Sequence, residues 1–518
     1  MKTCIQIHPA DNVAVALVPL SSGTAITPDT CEGLTAPSLT LTEDIPAGHK
    51  FALSPVKSGD PVIKYGHPIG YSSCTVSTGS WVHTHNLKTG LEGQRSYTWQ
   101  PEKFPGERSP RSEASQDPAV GQTAAALNRS GFFDGYLRPD GQAGIRNEIW
   151  ILPTVGCVSR IAGKIAEKSR HLLGGTLEAI TAFSHPYGCS QSGEDQEATR
   201  RILADLALHP NAGGILLVGL GCENSGIPVL QSCLGDFDKR RIRFLVCQDC
   251  EDEVAEGLRL VEELARYAKT FHRTPVSIQK LVVGLKCGGS DGLSGITANP
   301  AAGRFSDRLI AAGGTAILTE VPEMFGAETL LMNRCETKEI FRKTVDLING
   351  FKQYFTGHGQ PVYENPSPGN RQGGITTLED KSLGCTQKSG SAPVRDVLDY
   401  GARVSRPGLN LLNAPGNDLV SSTALAAAGA QIVLFTTGRG TPFSAPVPTV
   451  KISSNTPLAI RKKNWIDFDC GTLTGKESRS QLDERFFSYV LQVASGRQTA
   501  AERAGYQDMA IFKRGVTL

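Results

Sequence analysis

The chain has 518 residues, 39% hydrophobic and 20% charged, with 56 Gly and 30 Pro, a globular composition that excludes disordered, collagen-like and coiled-coil classes. At roughly 150 residues per domain, this length predicts about three domains. The 53 Lys and Arg nearly cancel the 51 Asp and Glu, so no global field draws the protein to nucleic acid or an anionic membrane, and a small-molecule partner is expected.

Residues 1–88 carry short apolar runs at 12–18, 39–41 and 62–65, separated by turn residues, and read as a small all-β domain. It ends in Trp81-Val82-His83-Thr84-His85-Asn86. Residues 89–130 are polar and proline-bearing and read as a mobile linker without chemistry. From 131 the pattern changes to alternating strands and helices, which predicts a largely parallel sheet. Strands are expected at 148–153, 176–184, 214–220 and 242–246. The first three run into Gly156-Cys157, Gly188-Cys189 and Gly221-Cys222. Ser192-Gly193-Glu194-Asp195 reads as a capping-box start to a helix. These units make a second, α/β domain over 131–270, with a boundary at 271–280.

A third domain, also α/β, is expected over 278–518. It opens with the strand 281–284 and Lys286-Cys287-Gly288-Gly289, with further strands at 315–318, 408–412 and 432–435. The 20 uncharged residues between Asp418 and Arg439 are long enough to span a bilayer. Their Ser, Thr and Gln residues make them a buried helix followed by a strand instead. The amino terminus, with one basic residue and Pro19 in its first apolar run, does not fit a signal peptide. Thirteen scattered cysteines point to a reducing, cytoplasmic setting rather than a disulfide scaffold. The stretch 357–391 has little periodicity and reads as a long functional loop.

In an open parallel sheet, ligands bind beyond the carboxyl ends of the strands. Cys157, Cys189, Cys222 and Cys287 all fall there. They are candidate ligands for a metal or cluster, or small hydrophobes packed in tight turns. Cys247 and Cys250 form an isolated CxxC, which does not make a zinc site. His83 and His85 share a face if their segment is extended, and two imidazoles there suit one Fe, Mn or Zn ion. His185 and Tyr187 stand beside Cys189 as candidate acid and base. Glu320, Glu323 and Glu328 follow a strand, so a carboxylate is expected to enter the crevice. Arg146, Lys388 and Arg439 lie in turns where a carboxylate substrate can be gripped. The glycine pairs match neither the dinucleotide nor the Walker pattern.

Four longer stretches are more specific: residues 62–70, 144–157, 288–300 and 381–388, the last reading Lys-Ser-Leu-Gly-Cys-Thr-Gln-Lys. With them the chain resembles the altronate/galactarate dehydratase family over roughly residues 5–88 and 131–518. The resemblance implies a β-clip (SAF-type) amino-terminal domain ahead of two larger α/β regions. It also implies a hydro-lyase that converts D-altronate to 2-keto-3-deoxy-D-gluconate with Fe(II) or Mn(II). Under this reading the metal ligands are drawn from His83, His85, Cys189, Cys222 and Cys287. The catalytic residues are drawn from His83, His85, His185 and Tyr187, and Arg146, Lys388, Arg439 and Asn299 bind substrate. Rival expectations are a galactarate dehydratase, an iron–sulfur dehydratase and a non-catalytic sugar-acid sensor. A homodimer is compatible with any of them.

Overall fold

The computed structural model describes residues 2–102, 131–475 and 477–518. Residues 2–90 contain strands and turns but no helix. Their main sheet places Cys31–Glu32, Cys4–Ile5, Val13–Ala16, Lys50–Ala52 and Trp81–Val82 side by side, and all these neighbours but the first pair are antiparallel. Phe51, Ala14, Cys4 and Ile26 fill its core.

The second region is built on four parallel strands: β1 (Glu148–Pro153), β2 (Ala179–Ala182), β3 (Ala212–Gly219) and β4 (Ile242–Val246), in the order β2-β1-β3-β4. β1 and β3 are buried along their whole length, as sheet strands covered by helices on both faces must be. The helix α1 (Gly193–Ala207) starts after Ser192, but the Ser192 side chain makes no cap hydrogen bond. Residues 274–277, within the expected boundary, instead form a strand that returns to pair antiparallel with Phe132–Leu137.

The third region holds seven parallel strands: β5 (Val282–Cys287), β6 (Thr315–Leu318), β7 (Val394–Leu398), β8 (Gly408–Leu412), β9 (Ile432–Thr437), β10 (Thr449–Ser453) and β11 (Phe468–Asp469). Their order is β7-β8-β6-β5-β9-β10-β11. The chain leaves β5 for one side of the sheet and later returns to its other side at β9. That reversal opens a crevice at the carboxyl end of β5. The helices that concern it are α2 (Lys338–Gly357), α3 (Leu378–Cys385) and α4 (Asp418–Ala427). The uncharged stretch is α4 followed by β9, both buried, and no helix among the described residues is long and apolar enough to cross a membrane.

Two expectations change. The stretch 357–391 is not an extended loop, because it folds into Pro368–Gln372, α3 and a 3-10 turn at Thr386–Ser389. Within it, α3 is buried at every position, which hid its periodicity. Residues 89–102, expected to be mobile, form a strap across the third region. Thr89 Oγ1 and the Gly90 amide bond the Glu379 carboxylate, Leu91 is buried, and the Tyr97 hydroxyl donates to Glu328 at 2.6 Å. Lys352 of α2 completes that contact, 2.8 Å from Glu328. The rest of the linker, 103–130, lies outside the described residues.

Candidate active site at the end of strand β5

Cys287 is the last residue of β5, and the Gly288-Gly289 turn follows it. A Cβ on Gly288 would meet the Phe435 ring at 2.6 Å and the Asp418 carboxylate at 2.8 Å, so only glycine lets these walls approach. Around the turn lies a cavity of about 560 Å³, lined by Cys287, Glu323, Asn365, Asn370, Lys381 and Asp418 among others. That volume suits a small metabolite.

The cavity floor is a buried cluster. The Cys287 thiol lies 2.9 Å from Glu323 Oε2 and 3.3 Å from Cys385 Sγ, and Cys385 Sγ lies 3.3 Å from the same Glu323 oxygen. Among the described residues, only these three His, Cys, Asp or Glu side chains converge closely enough to share one ion. Three lysines surround them. Lys381 Nζ is 2.7 Å from Glu323, and Lys286 Nζ bridges Glu320 at 2.5 Å and Asp418 at 2.8 Å. Lys388 is fully buried, and its charge acts on both thiols and both glutamates.

These charges sort the two glutamates. Burial pushes the Glu323 carboxyl up, but the ammoniums of Lys381, Lys388 and Lys286 outweigh it and hold the group ionised. Glu320 goes the other way: burial, the Cys287 thiol and Glu323 raise it more than Lys286 lowers it. The contact with Cys385, then burial, raises the Cys287 thiol. Glu320 also has a left-handed backbone, φ 69°, an unfavourable conformation for a non-glycine residue that costs roughly 1–3 kcal/mol. Its carboxylate accepts the Cys287 amide at 2.9 Å, so this conformation locks the end of β5.

The other sequence candidates fall in different places. Arg439 is exposed, and its side chain passes Gly289 and Gly369 beside the cavity. Asn299 is buried, with its amide donating to the Gly384 carbonyl and its oxygen accepting from Thr436. Arg146 is spent in the second region, ion-paired to Glu502 at 2.6 Å and bonded to the carbonyls of Val493 and Arg497. Cys189 and Cys222 are exposed in the second region and do not join Cys287.

His83 is buried and stacked on Trp81, with Nδ1 3.4 Å from Thr376 Oγ1 just before α3. His85 is exposed. Residues 83–86 form a turn closed by the Asn86 amide on the His83 carbonyl, so strand alternation does not put the two imidazoles on one face. Instead His49, which the sequence did not single out, packs 4.9 Å from His83. Burial, then the Lys50 charge and the other two imidazoles, lowers His83 to about 3, so it is neutral at ordinary pH.

His185 accepts the Tyr187 amide at Nδ1 (3.2 Å), so Nε2 carries the proton and donates to the Pro153 carbonyl at 2.8 Å. Both ring nitrogens are therefore used by the backbone. His185→Ala is expected to cost about 1–3 kcal/mol of stability, from the polar groups left unpaired, while turnover stays within a few-fold of the parent. A large loss of turnover in a folded variant would return His185 to catalysis.

Next to His49 and His83 lies a second buried charge cluster that the sequence did not reveal. Asp380 of α3 pairs with Lys50 at 2.8 Å and Lys64 at 3.0 Å, both from the amino-terminal domain. Adjacent residues of α3 thus face opposite ways, Asp380 toward that domain and Lys381 into the cavity.

A three-part α/β protein with a cation-walled cavity of metabolite size at a sheet switch point is, as a class, an enzyme scaffold for a small anionic ligand. Three family models cover nearly the whole chain: an altronate/galactarate dehydratase SAF domain over residues 2–90, a D-galactarate dehydratase/altronate hydrolase second domain over 135–269, and a D-galactarate/altronate dehydratase C-terminal domain over 278–517. The chain belongs to the altronate/galactarate dehydratase family. It is 49% identical over 517 residues to an altronate dehydratase of Escherichia coli (strain K12), covering 99% of each chain. It is also 49% identical over 521 residues to an altronate dehydratase of Bacillus subtilis (strain 168), covering all of both. A galactarate dehydratase (L-threo-forming) of the same E. coli strain is 31% identical over 528 residues.

Proposed function

We propose that the protein is a metal-dependent hydro-lyase that removes water from D-altronate to give 2-keto-3-deoxy-D-gluconate. The observation that carries the substrate is the full-length 49% identity to two altronate dehydratases, against 31% to the galactarate enzyme. The donor set of two thiols and one carboxylate fits a divalent ion of intermediate softness, so it favours Fe(II) over Mn(II). Cys287, Glu323 and Cys385 would hold it. When bound, such an ion polarises a carboxylate and its 2-hydroxyl and makes the C2 proton acidic enough to remove.

The chain's own groups supply the rest. Lys381, whose Nζ donates to Asn365 Oδ1 at 3.1 Å and Asn370 Oδ1 at 3.4 Å, is thereby fixed at the cavity wall, where its positive charge attracts the substrate carboxylate. Arg439 stands at the rim for the distal hydroxyls. Asp418 lines the cavity, is held by Lys286 and is about one-third exposed, which makes one of its oxygens the group that takes the C2 proton. His83 and His85 are the second choice, placed at the seam between domains. Loss of the 3-hydroxyl leaves an enol, which becomes the 2-keto acid. Thirteen cysteines scattered through the sequence, an odd number, fit a reducing, cytoplasmic setting.

The test is turnover of protein prepared without oxygen, with Fe(II), Mn(II) or chelator added, following appearance of the 2-keto acid. The expected result is metal-dependent turnover of altronate well above that of galactarate. Faster turnover of galactarate would reassign the substrate. Tight binding of aldonates without turnover under any metal condition would make the protein a sensor.

A further inference from the structure

A strained turn of the amino-terminal domain reaches the Cys385 side of the buried cluster. The strands Pro61–Lys64 and His67–Ser72 form a hairpin that pairs Lys64 with His67, so Tyr65 and Gly66 make a two-residue turn. Both have positive φ, 60° and 76°, the type I′ geometry that Asn-Gly fills most easily. A tyrosine there is held in a backbone conformation that its Cβ disfavours. Among the described residues, Glu320 is the only other non-glycine residue in that condition, and Glu320 holds the Cys287 amide. Such strain persists where the surrounding structure enforces it, and it gathers at functional sites.

The contacts of the Tyr65 side chain show what the strained turn delivers. A Cβ on Gly295 would stand 2.2 Å from its hydroxyl and 3.0 Å from the Gly384 Cα. A Cβ on Gly384 would stand 3.4 Å from the Gly295 Cα and 3.5 Å from the same hydroxyl. The ring tip therefore fills the place where two glycine backbones approach each other. Gly384 immediately precedes Cys385, and its carbonyl accepts the Asn299 amide at 3.0 Å. Tyr65, Ser290, Asn299, Lys381 and Cys385 line one shared cavity of about 10 Å³, close to the least that holds a single water. The end of α3 thus has little slack. The Tyr65 ring is itself fixed, packed on the cluster that holds Val62 and Leu383, with the Lys64 ammonium 4.7 Å from its centroid.

We propose that Tyr65 is a positioning residue for metal binding: its ring tip, wedged against Gly295 and Gly384, keeps the Cys385 thiol within reach of the ion that Cys287 and Glu323 would share. The amino-terminal domain thereby completes a metal site to which it gives no ligand. Metal–ligand distances in a working site hold to about 0.2 Å, so a small shift of Gly384 is enough to lose Cys385. The inference rests on reading Cys287, Glu323 and Cys385 as the metal site.

The test titrates the full chain, freed of metal by chelator, with Co(II) alone. Thiolates bound to Co(II) give an ultraviolet charge-transfer band whose intensity follows the number of Co–S bonds, and Cys385→Ser marks the level for one thiolate. The parent is expected to show the higher, two-thiolate band. Tyr65→Asn suits the turn better than tyrosine does, so a merely structural role in the hairpin would leave the band and the affinity unchanged. The expected result is instead a band at the Cys385→Ser level and Co(II) affinity about 10- to 100-fold lower, with an unchanged circular dichroism spectrum. Tyr65→Phe, which keeps the ring without the oxygen, is expected to fall between Tyr65→Asn and the parent. A full two-thiolate band with parent affinity in Tyr65→Asn overturns the proposal and leaves the metal site standing. If Tyr65→Asn does not fold, Tyr65→Leu, which keeps apolar bulk but is too short to reach the glycines, decides by the same two readings. Absence of the band in the parent would overturn the metal-site reading, and the role of Tyr65 with it.

Discussion

Glu323→Gln is expected to lower turnover about 100-fold or more while leaving the fold intact. The substitution keeps the shape but removes the only ionised oxygen that both Cys287 and Cys385 touch. Losing a first ligand should cost at least the roughly 10- to 100-fold in metal affinity seen when its supporting groups are removed. It also leaves Lys381 without its ion-pair partner at 2.7 Å, so one more uncompensated cation faces the cavity. Titration of the variant with Fe(II), alongside circular dichroism and turnover, separates these effects. Weak metal binding with a native spectrum is the expected outcome. Native affinity and native turnover together would remove the Cys287–Glu323–Cys385 cluster from the chemistry.

The largest effect on stability is expected at Asp380. Asp380→Ala strands two fully buried ammoniums, and breaking a buried pair in this way costs about 3–5 kcal/mol. Replacing Lys50, Lys64 and Asp380 together by Met, Met and Leu should recover most of the loss, because no charge is then left unpaired. If the triple variant is as unstable as the single one, shape rather than charge holds the seam.

The same cluster sets a pH dependence. The two lysines hold the Asp380 carboxyl far below the usual carboxylate range against the effect of burial. Its contribution is therefore present above about pH 4, the unfolded value, and is lost as pH falls toward the depressed folded one. Burial and the neighbouring Lys64 charge lower Lys50 to about 8, despite its share of Asp380. Between pH 8 and about 10.4 the unfolded chain binds more protons at Lys50, so stability rises with pH across that window. Denaturant unfolding at pH 3, 6 and 9, for the parent and the triple variant, reads both effects.

Much of the fold was legible because strands buried on both faces announce themselves as continuous apolar runs. Glu148–Pro153, Ile242–Val246, Thr315–Leu318 and Gly408–Leu412 were read with the bounds they have. Helix α3 was missed because Lys, Asp and Ser on a fully buried helix carry no apolar stripe. The site was partly legible. Cys287 and the glutamates are marked by their place after strands and Lys388 by its place in a turn, and a carboxylate, Glu323, does enter the crevice. Lys381, Cys385 and Lys388 fall in one stretch whose i, i+4, i+7 spacing sets one face toward the cluster, a signal that emerges only once α3 is seen to be a helix. Asp380, Lys50 and Lys64 could not be found from local pattern, since their pairing spans more than 300 positions and exists only after two domains dock. His49 is hidden for a related reason, since its contact with His83 joins distant positions of the amino-terminal domain that only its fold brings together.

The Lys50–Asp380–Lys64 seam also bears on how the parts assemble. Before docking these charges are hydrated, and they stand on faces that also carry apolar side chains, since Ile5 and Val15 share one cluster with Leu293 and Val62 and Ile69 share another with Leu383. After docking, a slip of even one position along α3 abandons an ammonium in a dry interior. The buried ion pairs thus leave the amino-terminal domain one alignment in which to settle. Mutual alignment of the two domains is written into their facing surfaces.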